Sequence, residues 1–219
     1  MNQWQWVAMI LPEMAAGTGA YFLMKYRMNS RWKILAKCMV TWMAVCTAAA
    51  GVMQNQNSPF QSLIFWAMVL FMTADGLLEV HFPAGAAVFG LGHVCLIVWY
   101  FEKGGFHHET AEIFVVLFLV ASVLFRKEKR RLLDGKKYLH VTGLYLYLVF
   151  LMAMVSMAVM LWASLGKEGI LPGIGAAAFA VSDMMVGKNA LTGLPRKVND
   201  LALGLYYLAV FCIALATWV

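Results

Sequence analysis

A carboxylate lies within an otherwise apolar stretch in the segment Phe71-Met72-Thr73-Ala74-Asp75-Gly76-Leu77-Leu78-Glu79. Near the same place in the second half of the chain, the segment Phe179-Ala180-Val181-Ser182-Asp183-Met184-Met185-Val186 repeats its frame: a Phe, two residues, a small residue, an Asp, one residue and two apolar residues. A charged side chain in a membrane helix costs about 3 kcal/mol on insertion scales, which makes it a functional candidate by default. Two carboxylates in matched surroundings predict a site built around Asp75 and Asp183.

The composition is typical of an integral membrane protein. Hydrophobic residues make up 63% and charged residues 13% of the 219 residues, whereas soluble domains have about 45–50% apolar and about 25% charged residues. A spanning helix needs about 20 apolar residues. We place eight such segments at residues 6–26, 32–53, 60–79, 84–102, 108–125, 139–164, 168–189 and 199–219. We therefore predict an all-α polytopic membrane protein with eight transmembrane helices, forming a single domain over residues 1–219.

Basic residues predict the orientation. All of the 17 Lys and Arg residues except Lys103 and Lys167 fall at the first, fifth and seventh connections, in residues 25–37, 126–137 and 188–197. Odd-numbered connections share one side of the membrane, and the positive-inside rule makes that side cytoplasmic. We expect both termini outside and the plasma (inner) membrane of a bacterium as the location. The net charge of +6 then reflects topology, and no nucleic-acid partner is expected.

The two Asp motifs lie in segments three and seven, which run in the same direction and predict a parallel 4+4 half-repeat. Asp75 lies four residues, and Asp183 about six, before the end of its segment. At about 1.5 Å per residue, both carboxyl groups are ~6–9 Å from the inner boundary. A shared depth makes one common cavity, open to the cytoplasmic leaflet, the expected arrangement.

Two further polar residues lie near these carboxylates. Glu79 is one turn after Asp75 on the same helix face, although a residue at the membrane interface would look the same. His93 lies near mid-membrane in the segment that follows the Asp75 helix. A hydrogen-bonded packing role is the alternative for His93.

Four more residues complete the predicted substrate-binding set. Tyr207 could supply a hydroxyl to the site or simply pack in segment eight. Lys188 and Asn189 flank the seventh connection, where they could bind a polar head group or cap a helix. Ser182 precedes Asp183 directly.

Several classes of site are not supported by the motifs. The four cysteines lie in apolar segments without a Cys-x-x-Cys spacing, which argues against a disulfide framework or a thiolate metal site. The sequence has no Gly-x-Ser-x-Gly elbow, no phosphate-binding Gly-Lys-Ser/Thr loop and no His-Glu-x-x-His motif. We expect no metal and no cofactor.

Four motifs occur in order along the chain: Phe71-x-x-Ala74-Asp75, Phe82-x-x-Gly85-x-x-x-Phe89-x-x-x-His93, Gly175-x-x-x-Phe179-x-x-Ser182-Asp183 and Tyr206-Tyr207-Leu208-Ala209. Together they resemble the YhhN-like family of membrane proteins, which includes the transmembrane lysoplasmalogenases. The resemblance implies an eight-helix enzyme that hydrolyses the vinyl ether bond of lysoplasmalogens. The products would be a fatty aldehyde and glycerophosphoethanolamine or glycerophosphocholine. It also implies that Asp75 and Asp183 are the paired catalytic residues.

Vinyl ether hydrolysis suits two carboxyl groups on chemical grounds. The bond is cleaved by protonation at carbon, which gives an oxocarbenium ion that water captures. One carboxylic acid and one carboxylate meet this need, and two carboxyls close together in a poor dielectric tend to share one proton. Glycoside hydrolysis passes through a similar ion with a similar pair. The assignment of acid and carboxylate stays open at this point.

Two other functions fit the same residues. The first is another membrane lipid hydrolase, such as a metal-dependent one with Asp75, His93 and Asp183 as ligands. The second is a lipid or proton-coupled carrier, because half-repeats and buried acids also occur in transporters. In the hydrolase interpretations a lysophospholipid is the substrate and the bilayer is the only partner predicted.

Overall fold

The computed structural model describes residues 3–27, 30–54 and 59–218. Within these ranges there is no strand, which confirms the all-α class. The helices are α1 (Gln3–Met24), α2 (Ser30–Gln54), α3 (Ser62–Val80), α4 (Phe82–Gly104), α5 (His108–Leu124), α6 (Arg126–Asp134), α7 (Tyr138–Leu165), α8 (Ile170–Thr192) and α9 (Arg196–Leu215). Short 3-10 turns cover Pro59–Gln61 and Ala216–Trp218. The last predicted segment, 199–219, ends at residue 219, which lies outside the described residues.

Six of the described helices are long and apolar enough to cross a membrane, namely α2, α3, α4, α7, α8 and α9. Helices α5 and α6 would add a seventh span only if they acted together, and they are bent by 57°. Helix α5 has 17 residues, about 25 Å, which is shorter than the hydrocarbon core of about 30 Å. The chain therefore has the character of an integral membrane protein, while the count of eight spans and the orientation stay predictions.

The fifth connection, which we predicted to be cytoplasmic because of its basic residues, contains a helix of its own. Helix α6 follows directly on α5, and Phe125, which is buried, marks the bend. Leu132 is the buried residue of α6, while Arg126, Lys127 and Arg130 are exposed. Charge excluded this stretch from our list of spans, but charge does not prevent a short helix outside the apolar core of the bundle.

Helix packing follows the same scheme in the two halves of the chain. Helix α3 packs between α2 and α4, and α8 packs between α7 and α9. The halves meet through α4 against α7 and α2 against α9. If the two halves are exchanged, α2 takes the place of α7 and α4 takes the place of α9. The α4–α7 contact then becomes the α2–α9 contact and the reverse, as a 4+4 repeat would require. The half-repeat itself stays a prediction.

The ends of the helices next to the site have local causes. Helix α3 ends at Val80, and His81, in an extended conformation, caps α4 by accepting a hydrogen bond from the Ala84 backbone N–H at 3.2 Å. Pro83 stands in the first turn of α4, where no N–H is needed. Gly193, with φ +68°, ends α8 in the left-handed region that glycine adopts without strain. These ends set the register of α4 and α8.

One ion pair ties the end of α1 to α9. The Lys25 side chain, which is buried, donates to Asp200 Oδ1, and the Tyr26 hydroxyl donates to Asp200 Oδ2 at 2.7 Å. A buried ammonium is tolerated only when it is paired. The contact therefore fixes α1 against the start of α9.

Large apolar side chains cover much of the outer surface. Exposed examples on α5 are Val116, Leu119 and Val120, and Leu139 and Leu146 are exposed on α7. A soluble protein rarely exposes such a continuous apolar surface. Contact with lipid is the environment that this surface fits.

We predict that Gly85→Ala destabilises the bundle by about 1–3 kcal/mol, the usual cost of overpacking. A Cβ at Gly85 would stand 2.6 Å from the Leu78 backbone nitrogen, where α3 and α4 cross. Gly90→Ala, on the same helix, is the matched control because nothing lies within 4 Å of its Cβ position. Thermal unfolding of both variants in detergent micelles measures the difference, and equal melting temperatures would contradict the prediction.

Candidate active site

Asp75 is buried and receives hydrogen bonds from two neighbouring helices. Its Oδ2 accepts from Thr41 Oγ1 on α2 at 2.6 Å and from the Tyr206 hydroxyl on α9 at 2.8 Å. Thr41 and Tyr206 are themselves buried, and their oxygens are 3.5 Å apart. A carboxylate placed among apolar helices needs such donors, since water is absent to supply them.

A lysine completes the surroundings of Asp75. Lys37 Nζ lies 3.4 Å from Asp75 Oδ1 and 3.6 Å from Glu79 Oε1, and its side chain is only 12% exposed. Lys37 and Thr41 are one turn apart on α2, as Asp75 and Glu79 are on α3, so each pair shares a helix face. The two faces meet, and the ammonium lies between the two carboxylates. These contacts place one ammonium and two hydroxyl donors around the Asp75 carboxyl group.

Asp183 has a different set of partners. Its Oδ2 accepts from the Tyr147 hydroxyl on α7 at 2.5 Å and lies 3.2 Å from His93 Nε2 on α4. His93 is fully buried, and its Nε2 is also 3.2 Å from the Tyr147 oxygen. Because Nε2 faces a carboxyl oxygen, we assign a proton to Nε2.

Two polar atoms of this cluster have no hydrogen-bond partner among the described residues. His93 Nδ1 is buried without one, and both donors to Asp183 go to Oδ2, which leaves Oδ1 unpaired. Asp183 is also 8% exposed, against 1% for Asp75. An unpaired buried polar atom such as His93 Nδ1 is rare in native proteins and points to a functional role. Asp183 Oδ1 and His93 Nδ1 are therefore available for further hydrogen bonds.

Aromatic rings separate the two carboxylate clusters. Phe71 and Phe179, each one turn before its Asp, pack against each other with ring centroids 4.8 Å apart. Phe89 contacts both of them, at 4.8 and 5.7 Å. Tyr206 from the Asp75 cluster lies 5.7 Å from Phe179, and His93 from the Asp183 cluster lies 5.1 Å from the same ring. The matched Phe residues of the two motifs thus join the clusters into one packed centre.

The donors follow the same scheme as the helix packing. Asp75 on α3 is held by residues of α2 and α9, and Asp183 on α8 is held by residues of α7 and α4. If the two halves are exchanged, Thr41 takes the role of Tyr147, and Tyr206 takes the role of His93. The two sites are alike in geometry and differ in chemistry, because only Asp75 has a lysine and only Asp183 has an imidazole.

The other predicted substrate-binding residues do not contact either carboxylate. Ser182 is buried and donates to the Ala202 carbonyl at 2.8 Å, which joins α8 to α9. The Tyr207 hydroxyl donates to the Lys37 carbonyl at 3.4 Å. Lys188 lies over the Phe125 ring at 5.8 Å, and the Asn189 side chain accepts from the Leu194 backbone N–H at 2.8 Å.

Sequence reasoning missed four partners of the carboxylates. Thr41 and Tyr147 are each one of several polar residues in an apolar helix, and neither belongs to a motif. Tyr206 stood beside Tyr207, and nothing in the sequence favoured one over the other. Lys37 was counted as a basic residue of the first connection, and its position one turn before Thr41 was the only available signal.

The structure does not bring Asp75, His93 and Asp183 together as ligands of one metal ion. The described part of the chain contains no group of three His, Cys, Asp or Glu side chains that could hold a metal ion. His93 and Asp183 are adjacent, but the partners of Asp75 are Lys37, Thr41 and Tyr206. An ammonium near Asp75 is also an unfavourable neighbour for a cation.

The fold and the site define an all-α integral membrane protein with two carboxylates buried in its helix bundle. The chain belongs to the YhhN family, whose model matches residues 32–217 and so covers nearly all of the sequence. No curated protein and no solved structure matches it. The matched range includes both Asp motifs and every described partner of the two carboxylates.

We predict that Thr41→Val destabilises the protein by about 1.5–3 kcal/mol, the usual value of a hydrogen bond to a charged group. Valine has nearly the same shape but cannot donate to Asp75. Thr47→Val is the matched control on the same helix, because Thr47 is also buried and its hydroxyl bonds only to the Met43 carbonyl of its own helix. Unfolding in detergent micelles compares the two, and an equal loss of stability would refute this role of Thr41.

Proposed function

We propose that the chain is a hydrolase that cleaves the vinyl ether bond of lysoplasmalogens by acid–carboxylate catalysis, with Asp183 as the acid and Asp75 as the carboxylate. Membership of the YhhN family agrees with a hydrolase. The observation that carries the proposal is the unequal surroundings of two buried carboxyl groups that lie on one aromatic centre.

The surroundings of Asp183 suit a proton donor. Both of its hydrogen-bond donors, Tyr147 and His93, go to Oδ2. A proton on Oδ1 would therefore disturb neither contact, and the unpaired Oδ1 could reach a substrate. Asp75 also has two donors on Oδ2, but it has in addition the Lys37 ammonium beside Oδ1, and an adjacent cation favours the ionised form of a carboxyl group.

The reaction balances with these groups. The proton of Asp183 goes to the carbon beta to the ether oxygen, and a cation forms at the carbon attached to oxygen. The Asp75 charge stabilises this cation, because the apolar surroundings strengthen the electrostatic attraction. Water adds to the cationic carbon and loses a proton through His93 Nδ1 to Asp183. The hemiacetal hydroxyl then gives up its proton, the glycerol oxygen takes one up, and the bond between that oxygen and carbon breaks to release the aldehyde and the glycerol hydroxyl.

We predict that Asp183→Asn and Asp75→Asn each lower kcat by about 10²–10⁴-fold, as expected for loss of a general acid or an essential carboxylate. Asparagine keeps the side-chain volume and removes the charge, so the fold should remain. Release of aldehyde from a lysoplasmalogen in micelles measures the effect. Asp134→Asn, an exposed residue of α6, is the matched control and should retain normal turnover. Near-normal rates in either site variant would remove that residue from the mechanism.

We also predict that hydrolysis in heavy water places one deuterium on the alpha carbon of the aldehyde, because the acid delivers its proton to carbon. Mass spectrometry at short times measures the label, with a control for exchange of the free aldehyde. Ester lysolipids offer no such carbon and should be cleaved poorly. An unlabelled aldehyde, or equal turnover of an ester lysolipid, would show that the two carboxyl groups perform other chemistry.

A further inference from the structure

A cavity of about 240 Å³ lies between helix α6 and the end of α8. Its charged lining residues are Glu128, Arg131 and Lys137, and Leu191 and Thr192 close it on the α8 side. The cavity therefore contains charges of both signs at the end of the bundle where basic residues are concentrated. It is separate from both carboxylate clusters.

The charges of this cavity are not used within the described part of the protein. Glu128 Oε2 is buried and has no hydrogen-bond partner there. Arg131 and Lys137 form no ion pair with any described carboxylate, although both line the same cavity as Glu128. A buried carboxylate oxygen without a donor is costly. The arrangement fits a ligand that brings an ammonium to Glu128 and a phosphate to Arg131 and Lys137.

The distance from the cavity to Asp183 agrees with the distance between the head-group nitrogen and the vinyl ether bond of a lysoplasmalogen. Leu191 is eight residues after Asp183 on α8, about 12 Å along the helix. Ten bonds join the nitrogen of a phosphoethanolamine head group to the first vinyl carbon, which also spans about 12 Å at ~1.2 Å per bond in an extended chain. Helix α7 leads to the same place, because Lys137 lies just before its start and Tyr147 lies within it.

We propose that this cavity binds the zwitterionic phosphodiester–ammonium head group of the lysolipid, and so positions the vinyl ether at Asp183. The assignment rests on the proposed function for the identity of the lipid. It moves the head group away from Lys188 and Asn189, whose side chains contact Phe125 and the Leu194 backbone instead.

The test measures binding without turnover. The probe is 1-O-alkyl-glycerophosphoethanolamine, a saturated ether that has no vinyl bond to hydrolyse, added to the full chain in detergent micelles. Arg131→Gln and Glu128→Gln should each weaken its binding by about tenfold, the usual effect of losing one charge-assisted hydrogen bond. Arg130→Gln and Asp134→Asn are matched controls on α6, because both residues are exposed, as Arg131 is, but neither lines the cavity. They should change binding by less than about twofold, as surface charges usually do.

A second probe tests the role of each charge separately. The phosphoglycerol analogue of the same lipid has a phosphate but no ammonium. Arg131→Gln should weaken its binding as before, whereas Glu128→Gln should not weaken it. Melting temperatures of all four variants show whether the fold is kept. A Glu128→Gln variant that loses affinity for the ammonium probe but not for the phosphoglycerol probe cannot be explained by a general loss of structure.

Equal binding by all variants, or equal weakening by the controls, would overturn the proposal. Displacement of the probe by diacyl phosphatidylethanolamine at equal mole fraction would assign the cavity to bulk lipid and overturn its role as a substrate subsite. Aldehyde release from the vinyl ether lipid is measured in parallel. Absence of hydrolysis with the predicted binding pattern would refute the proposed function and support the cavity. If the vinyl ether lipid is hydrolysed but probe binding is unchanged in Glu128→Gln and Arg131→Gln, only the assignment of the cavity as the head-group site is refuted.

Discussion

The cost of burying a carboxylate in an apolar helix bundle governs the centre of this protein. Asp75 and Asp183 can be accommodated only where neighbouring helices bring donors to them. Those donors come from α2 and α9 for one residue and from α4 and α7 for the other. The register of six helices is therefore tied to two side chains. The Phe71, Phe89 and Phe179 rings fill the space between the clusters and keep the helices in that register.

A repeated frame need not produce two equivalent sites. Both Asp residues follow a Phe by one turn, and each is held by the preceding helix of its own half and by one helix of the other half. One of them, however, faces an ammonium, and the other faces an imidazole with a free nitrogen. In our proposal, the carboxyl group beside the ammonium is the charged one, and the other carries the proton on its unpaired oxygen. An acid and a stabilising carboxylate are the two roles that hydrolysis through an oxocarbenium ion requires.

The concentration of basic residues at one end of the bundle has two consequences in our interpretation. It predicts which side faces the cytoplasm, and it also surrounds a cavity with cationic side chains next to a buried glutamate oxygen. A lysolipid lies in a bilayer with its head group at the interface and its chain in the core. A charged cavity at the interface and a carboxyl centre about 12 Å deeper along α8 match that division.

The all-α class, most helix positions and the two central Asp residues could be predicted from the sequence, because apolar runs of about 20 residues and an intramembrane carboxylate are local signals. His93 was found because it stands in the segment next to the Asp75 helix. The bend at Phe125 and the helix that follows were missed, since a charged stretch carries no span signal. Lys37, Thr41, Tyr147 and Tyr206 were also missed as carboxylate partners, because their role depends on contacts between helices that are far apart in the chain. Only the tertiary structure decided which hydroxyl, ammonium or imidazole meets each carboxylate, since a hydrogen bond between helices depends on their register and rotation, which no single segment encodes.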